Sequence, residues 1–99
     1  MLNLNKTRED GKLSIALEGR LDTVTSPELE KYLQENLPGA EQLTLYFEKL
    51  DYISSAGLRV LLAAQKSMNR QGGMKLCRVN ESIMEILEVT GFVDILTIE

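Results

Sequence analysis

Residues 50–62 read LDYISSAGLRVLL and are the most specific stretch of the sequence. The run LTLYF at residues 43–47 precedes it and predicts a strand, because it is rich in β-forming residues. The polar residues 48–55 predict a loop, and a helical spacing of apolar residues predicts a helix over 56–69, ended by Gln-Gly-Gly at 71–73. Because few residues are left over for other loops, this long connection is where function is expected.

Two strands and a helix are predicted before this stretch. Residues 2–8 and 12–18 alternate in hydropathy around Asp-Gly at 10–11, which predicts an antiparallel hairpin. Ser26 is expected to cap a helix, since a proline and then a glutamate follow it. That helix must end by Leu37, because Pro-Gly comes next.

A strand, a helix and a last strand are predicted after the central helix. The strands are residues 74–78 and 95–98, and Asn80 is expected to cap the helix between them. Gly91 suits the left-handed position that ends this helix. The residues expected on its buried side are Ile83, Ile86, Leu87 and Thr90. The order β-β-α-β-α-β-α-β indicates an α/β fold with helices packed on a mixed, mostly parallel sheet that a hairpin opens, in a single domain over residues 1–99.

The composition excludes several classes of function. The chain has 99 residues, no His, a net charge of −4 and one cysteine, Cys77, which is interpreted as a small buried apolar residue. These counts exclude His-based catalysis, metal sites that need His or several Cys, and an intramolecular disulfide. The acidic balance argues against nucleic acid binding, and no apolar run is long enough to cross a membrane. No signal peptide is evident, so the chain is expected to be a cytoplasmic monomer without a cofactor.

The candidate site residues follow the predicted strands. Ser54 and Ser55 lie just ahead of the central helix, where one of them can act as an N-cap or as a phosphate acceptor. Asp22 and Thr23 end the hairpin's second strand and should lie beside the serines, because both segments follow strands at one sheet edge. Arg59 is interpreted either as an exposed helix residue or as a cation for a partner acid or a phosphate. No nucleophile with a base, metal cluster or phosphate loop is evident, so an enzyme is not expected.

The central stretch resembles the signature of the bacterial anti-sigma factor antagonists, which have the STAS fold. In that family, a buried strand runs into an apolar-Asp-Ser-Ser/Thr-Gly-Leu loop at which a helix begins. The resemblance extends to Gly-Arg-Leu-Asp at 19–22, Gln-Gly-Gly at 71–73 and Thr-Gly-Phe at 90–92, so it covers nearly the whole chain.

The resemblance implies roles for individual residues. Aligned on Gly57-Leu58, the family's Asp falls on Ser54, its phosphorylated Ser on Ser55 and its next Ser or Thr on Ala56. Phosphorylation is therefore expected at Ser55, with Ser54 as the second candidate. Gly57 is expected to permit a close approach of the backbone. The expected partner-binding residues are Asp22, Thr23, Ser54, Ser55, Ala56, Gly57 and Arg59.

The resemblance also implies the partners. The unphosphorylated protein would bind an anti-sigma factor serine kinase and release a sigma factor. The kinase would phosphorylate Ser55, binding would be lost, and a serine phosphatase would restore it. An alternative is an accessory STAS subunit that docks on a membrane complex such as a lipid-transport ATPase, without inserting in the membrane. A serine at the acceptor position favours the first.

Overall fold

A computed structural model describes all 99 residues, Met1–Glu99. Four strands, three α-helices and one 3₁₀ turn follow each other in the order β-β-α-β-α-β-α-3₁₀. The elements are β1 (Leu2–Glu9), β2 (Lys12–Leu21), α1 (Ser26–Asn36), β3 (Gln42–Ile53), α2 (Ser55–Gln71), β4 (Gly73–Cys77), α3 (Glu81–Thr90) and the 3₁₀ turn Phe92–Asp94. As far as α3, this order confirms the one predicted from the sequence.

The strands form one sheet in the order β1-β2-β3-β4. β1 pairs antiparallel with β2, whereas β2 with β3 and β3 with β4 are parallel pairs. Asp10 and Gly11 connect β1 to β2 with φ values of 49° and 78°, which is the backbone that a tight two-residue hairpin turn requires. The mixed, mostly parallel sheet opened by a hairpin is therefore confirmed.

The helices leave one face of the sheet uncovered. α2 and α3 pack against the sheet, and α1 packs against α2. Along β2, Leu13, Ile15 and Leu17 are buried, whereas Ala16 and Glu18 are exposed. This alternation is typical of a sheet with one face against the core and one in water. The covered face and the helices enclose a single apolar core of 24 buried residues.

β3 is longer than predicted and includes most of the residues assigned to a loop. Two register shifts against β2 each insert an extra residue into β3. Bulges of this kind break the alternation, so Phe47, Leu50 and Ile53 are buried at intervals of three residues. The prediction of a loop at 48–55 is therefore wrong, because only Ser54 lies between β3 and α2.

The chain after α3 contains less strand than predicted. Residues 92–94 form a 3₁₀ turn, which takes up part of the short segment that remains. The strand expected at 95–98 is reduced to one parallel bridge between Ile98 and Leu76. Leu96 is still buried in the core, so the segment is held by packing more than by sheet pairing.

The starts and ends of α1 and α2 differ slightly from the predictions. The N-cap of α1 is Thr25, and Ser26 is the first helical residue, whose hydroxyl donates to the carbonyl of Asp22. The role of Ser26 as an N-cap was therefore predicted wrongly, because the turn made by Asp22 starts the helix one residue earlier. α2 begins at Ser55 and continues to Gln71, two residues beyond the predicted end.

β4 ends one residue earlier than predicted. Arg78 has a φ of 54°, in the left-handed region, and lies outside the strand. Met74 and Leu76 face the core, so the strand's alternation places Cys77 on the open face, where it is only half-buried. The interpretation of Cys77 as a core residue is therefore wrong.

The structure confirms the predicted ends of α3 but not all of the residues that were predicted to be buried on it. The Asn80 side chain accepts a hydrogen bond from the N–H of Ile83 at 2.9 Å, and Gly91 adopts φ 80° at the C-cap. Thr90 is exposed, contrary to prediction. Its hydroxyl donates to the carbonyl of Ile86 at 2.8 Å, which satisfies it on the helix surface.

Candidate functional site

The segments that follow β2 and β3 meet at one edge of the sheet. Leu21 ends β2 and pairs in register with Ile53, which ends β3. The N–H of Ser54 donates to the carbonyl of Leu21 at 2.8 Å. This contact confirms the predicted proximity of the two segments, residues 22–25 and 54–59, which together form the serine site.

Gly57 lets α2 approach the end of β2. A Cβ atom at this position would lie 2.7 Å from Cγ of Leu21 and 3.0 Å from its carbonyl oxygen. Contacts this short are not tolerated without movement, so a side chain at position 57 would force Leu21 or α2 to shift. The prediction that Gly57 permits a close backbone approach is confirmed.

The two serines of the site have different surroundings. Ser54 is the N-cap of α2, and its Oγ accepts a hydrogen bond from the N–H of Gly57 at 3.3 Å. Ser54 is half-buried, whereas Ser55 is exposed as the first residue of the helix. The sequence alone did not distinguish the serine that caps the helix from the one with an exposed hydroxyl. In the structure, Ser54 is the cap and Ser55 is the exposed residue.

Asp22 folds the segment after β2 into a turn. Its Oδ1 accepts from the N–H groups of Val24 and Thr25, each at 3.0 Å. The Thr25 hydroxyl accepts from the N–H of Asp22 at 2.9 Å and donates to the carbonyl of Arg20 at 2.7 Å. The N–H of Thr25 contributes most to lowering the pKa of Asp22 below its usual range, because it stabilises the charged carboxylate.

Arg20 and Tyr52 extend the site, and sequence reasoning singled out neither. The guanidinium of Arg20 lies 4.6 Å from the centre of the Tyr52 ring, and its Nε is 3.7 Å from Oδ2 of Asp22. Arg20 and Tyr52 are register partners in β2 and β3. The pairing of Arg20 with Tyr52 could not be predicted, because the sequence predicts a loop at Tyr52 and not a strand.

A shallow groove between α2 and α3 opens next to Ser55. Its apolar lining includes Tyr52, Leu58, Ile86 and Val89, and it encloses about 470 Å³. Val89 is 81% exposed on the rim. The sequence contains no pattern that would identify this groove, because its walls come from three different elements.

Arg59 and Thr23 lie on the other side of Ser55. Both are exposed and, with Ala56, line a small cleft between α1 and α2. Arg59 forms no ion pair. The serine site therefore combines the free hydroxyl of Ser55, the free cation of Arg59 and apolar rims. No group of three or more His, Cys, Asp or Glu side chains is placed to hold a metal ion.

Comparisons with known proteins agree on the family. The STAS domain model matches residues 3–99. The chain is 34% identical to BtrV of Bordetella bronchiseptica, whose name describes a candidate anti-sigma factor antagonist, over 95% of this chain and 83% of BtrV. It is 30% identical to the anti-sigma F factor antagonist of Paenibacillus polymyxa, over 98% of this chain and 86% of that one.

Solved structures share the fold at low sequence identity. An anti-sigma factor antagonist from Mycobacterium paratuberculosis superposes with a TM-score of 0.88 at 18% identity, over 99% of this chain and 85% of that one. The phosphorylated form of SpoIIAA from Bacillus superposes with a TM-score of 0.73 at 17% identity, over 100% of this chain and 91% of that one. None of the helices here has the length and apolar character needed to span a membrane.

Proposed function

The chain belongs to the STAS domain family, and on that premise we propose that it is an anti-sigma factor antagonist that phosphorylation of Ser55 switches off. The unphosphorylated form binds an anti-sigma factor kinase in the bacterial cytoplasm, and a sigma factor is released. A serine phosphatase restores the binding form. The observation that carries the proposal is the exposed Ser55 at the start of α2, beside the turn that Asp22 forms. The names of the relatives support the class of partner.

Ser55 is the better phosphate acceptor of the two serines. Its hydroxyl makes no hydrogen bond within the chain and faces solvent, so a kinase can reach it without unfolding the helix. Ser54 caps α2 through Gly57, and modifying its oxygen would disturb that bond. SpoIIAA, which shares only the fold, shows that a protein of this architecture can carry a phosphate.

The surface around Ser55 fits a protein partner. Val24 and Val89 are 80% and 81% exposed, and Tyr52 is 38% exposed. Val89 and Tyr52 line the groove beside Ser55, and Val24 lies in the turn that Asp22 forms. Exposed apolar side chains of this kind are typical of docking surfaces. Asp22, Thr23, Ala56 and Arg59 would lie within the same contact. Gly57, which was also expected to bind the partner, is buried against Leu21 and would act only by positioning α2.

The phosphoryl transfer makes this chain the substrate and the partner the enzyme. The Ser55 Oγ forms a bond to the γ-phosphorus of ATP, the bond from that phosphorus to the bridging oxygen of ADP breaks, and the hydroxyl proton is released. The product carries about −1.5 to −2 additional charges at the centre of the contact. Burying a charge of that size in the contact, with no matching cation on the partner, costs several kcal/mol, and about 1.4 kcal/mol already lowers affinity tenfold.

The test is phosphorylation by the anti-sigma factor kinase of the same bacterium. The protein is incubated with that kinase and ATP, and the product is analysed by intact mass and peptide mapping. We expect a single phosphate on Ser55, lost in Ser55→Ala and retained in the matched control Ser54→Ala. A phosphate on Ser54 would contradict the assigned residue.

Failure of any such kinase to phosphorylate or bind the chain would contradict the proposal. Co-purification with a membrane transport complex would then favour the alternative docking subunit. Binding is measured in the same series: Ser55→Ala should bind the kinase persistently, and Ser55→Asp should bind poorly.

A further inference from the structure

Arg59 stands one helical turn after Ser55 in α2. Residues four apart on a helix have Cβ atoms about 5–6 Å from each other, so their side chains can meet on the helix surface. Both side chains are exposed; Ser55 lines the groove between α2 and α3, and Arg59 lines the cleft between α1 and α2.

The guanidinium of Arg59 has no carboxylate partner. The ion pairs of the chain are Arg20 with Asp22 and Lys75 with Glu99. Glu30 lines the same cleft as Arg59, yet the two do not pair. Arg59 is therefore free to bind an anion that arrives next to it.

Arg20 is the other cation near the site, but it is already engaged. It stacks on Tyr52 at 4.6 Å and faces Asp22. Recruiting Arg20 would break both contacts, whereas recruiting Arg59 breaks none. This difference favours Arg59 as the cation that is available to an anion at Ser55.

Building on the proposed function, we propose that Arg59 binds the phosphate of Ser55 within the same chain. A guanidinium offers paired N–H donors that match phosphate oxygens. Phosphorylation then changes two charges of the docking surface at once: it adds a dianion, and it withdraws the cation that the unphosphorylated form presents to its partner. Arg59 is thus a part of the switch and not only a surface residue.

The experiment uses the full chain with phosphoserine installed at position 55 during translation, so no kinase is required. The second pKa of the phosphate is measured by ³¹P NMR titration in the parent and in Arg59→Gln. We expect this pKa to be higher in Arg59→Gln by about 0.3 unit or more, a twofold change in the dissociation constant, as for a helical ion pair. Arg59→Lys should lie between the two.

Two matched controls remove the same charge elsewhere. Arg70→Gln removes a positive charge from the last turn of α2, about 22 Å along the helix from Ser55, and should leave the phosphate pKa unchanged. Arg20→Gln removes the engaged cation and should have less effect than Arg59→Gln. The Arg59 Nε–H resonance should also shift between the unmodified and phosphorylated parent proteins.

An unchanged phosphate pKa in Arg59→Gln, or a larger change in Arg20→Gln, would overturn the proposal. Either result would leave the kinase assay and the proposed function untouched. Conversely, failure of the kinase to modify Ser55 would contradict the proposed function without altering the titration.

Discussion

Gly57 determines how closely α2 approaches the end of β2. Its position in the sequence predicted a close backbone contact, and the structure identifies the contact as Leu21. The carbonyl oxygen of Leu21 also accepts the N–H of Ser54. Because a backbone atom cannot rotate away as a side chain can, the space at Gly57 is fixed by the same strand end that positions the serines.

Gly57→Ala should therefore destabilise the protein. Gly to Ala in an ordinary helix gains about 1 kcal/mol. Here the added methyl group overpacks against Leu21, and we expect a net loss of about 1–3 kcal/mol in the free energy of unfolding. Urea unfolding followed by circular dichroism measures it. Ser67→Ala, at an exposed position of α2, is the control and should change stability by less than about 0.5 kcal/mol. A more stable Gly57→Ala would contradict the close contact.

Asp22 links the site to pH. Its pKa is lower in the folded protein than its usual value of 3.8, chiefly because the N–H of Thr25 donates to the carboxylate. The charged form therefore stabilises the fold above the unfolded pKa, and this contribution is lost as the pH falls through the folded pKa.

Asp22→Asn should expose this dependence, because it keeps the acceptor oxygen and removes the charge. We expect the parent to be more stable than Asp22→Asn at neutral pH and the difference to shrink below about pH 4. Urea unfolding of both proteins across this range checks it. A difference that stays constant as the pH falls would show that the charge does not contribute.

At the scale of elements, β3 shows what the sequence could not predict. Alternation is the signal for a strand, and two bulges replace it after Tyr46 by burial at every third residue. The charged residues Glu48, Lys49 and Asp51 then give a pattern that is typical of a loop, although these residues lie in a strand. A bulge depends on the register of the neighbouring strand, which a single sequence does not contain.

Asn80 holds the bulged part of β3 against the start of α3. The sequence predicted its cap of α3, and the structure adds a second role. Its Nδ2 donates to the carbonyls of Phe47 at 3.1 Å, Glu48 at 3.2 Å and Leu50 at 2.8 Å. One side chain thus satisfies carbonyls where the bulged strand departs from regular pairing.

Asn80→Ser separates these two roles, because serine can cap the helix but lacks the amide donors. Carbonyls at the bulge then lose their partner, and we expect the free energy of unfolding to fall by about 1–3 kcal/mol. Urea unfolding measures the loss, with Asn3→Ser on the exposed surface of β1 as the control. If Asn80→Ser were as stable as the parent, the bulge would not depend on Asn80.

At the scale of the molecule, the meeting of the two site segments could be predicted, because parallel strands bring their carboxyl ends to one edge. The order of the strands in the sheet, β1-β2-β3-β4, could not be predicted, because element order alone does not determine which strands pair. The groove beside Ser55 could not. Tyr52, Ile86 and Val89 come from β3 and α3, and only the packing of α3 brings them together. The exposed position of Val89 cannot be recognised from the sequence, because a valine there does not disturb the helical spacing of the apolar residues in α3.

The separation between core and site determines how a phosphate at Ser55 acts. The buried core is one cluster of 24 residues, and neither Ser55 nor Arg59 belongs to it. A phosphate on the exposed Ser55 oxygen therefore displaces no core side chain, and it lies at the end of α2 where N–H groups favour negative charge. The switch should change the charge of a surface and leave the shape of the molecule intact.

Comparing ¹H–¹⁵N NMR spectra of the chain with Ser or phosphoserine at position 55 tests this. We expect shift changes around residues 20–25, 52–60 and 85–90, and a free energy of unfolding within about 1 kcal/mol of the unmodified protein. The spectrum of Ser55→Ala is the control for loss of the hydroxyl alone. Changes spread across β1 or β4, which contribute no residue to the serine site, would mean that phosphorylation rearranges the sheet. A partner would then be released by a change of shape instead of by the charge at its contact.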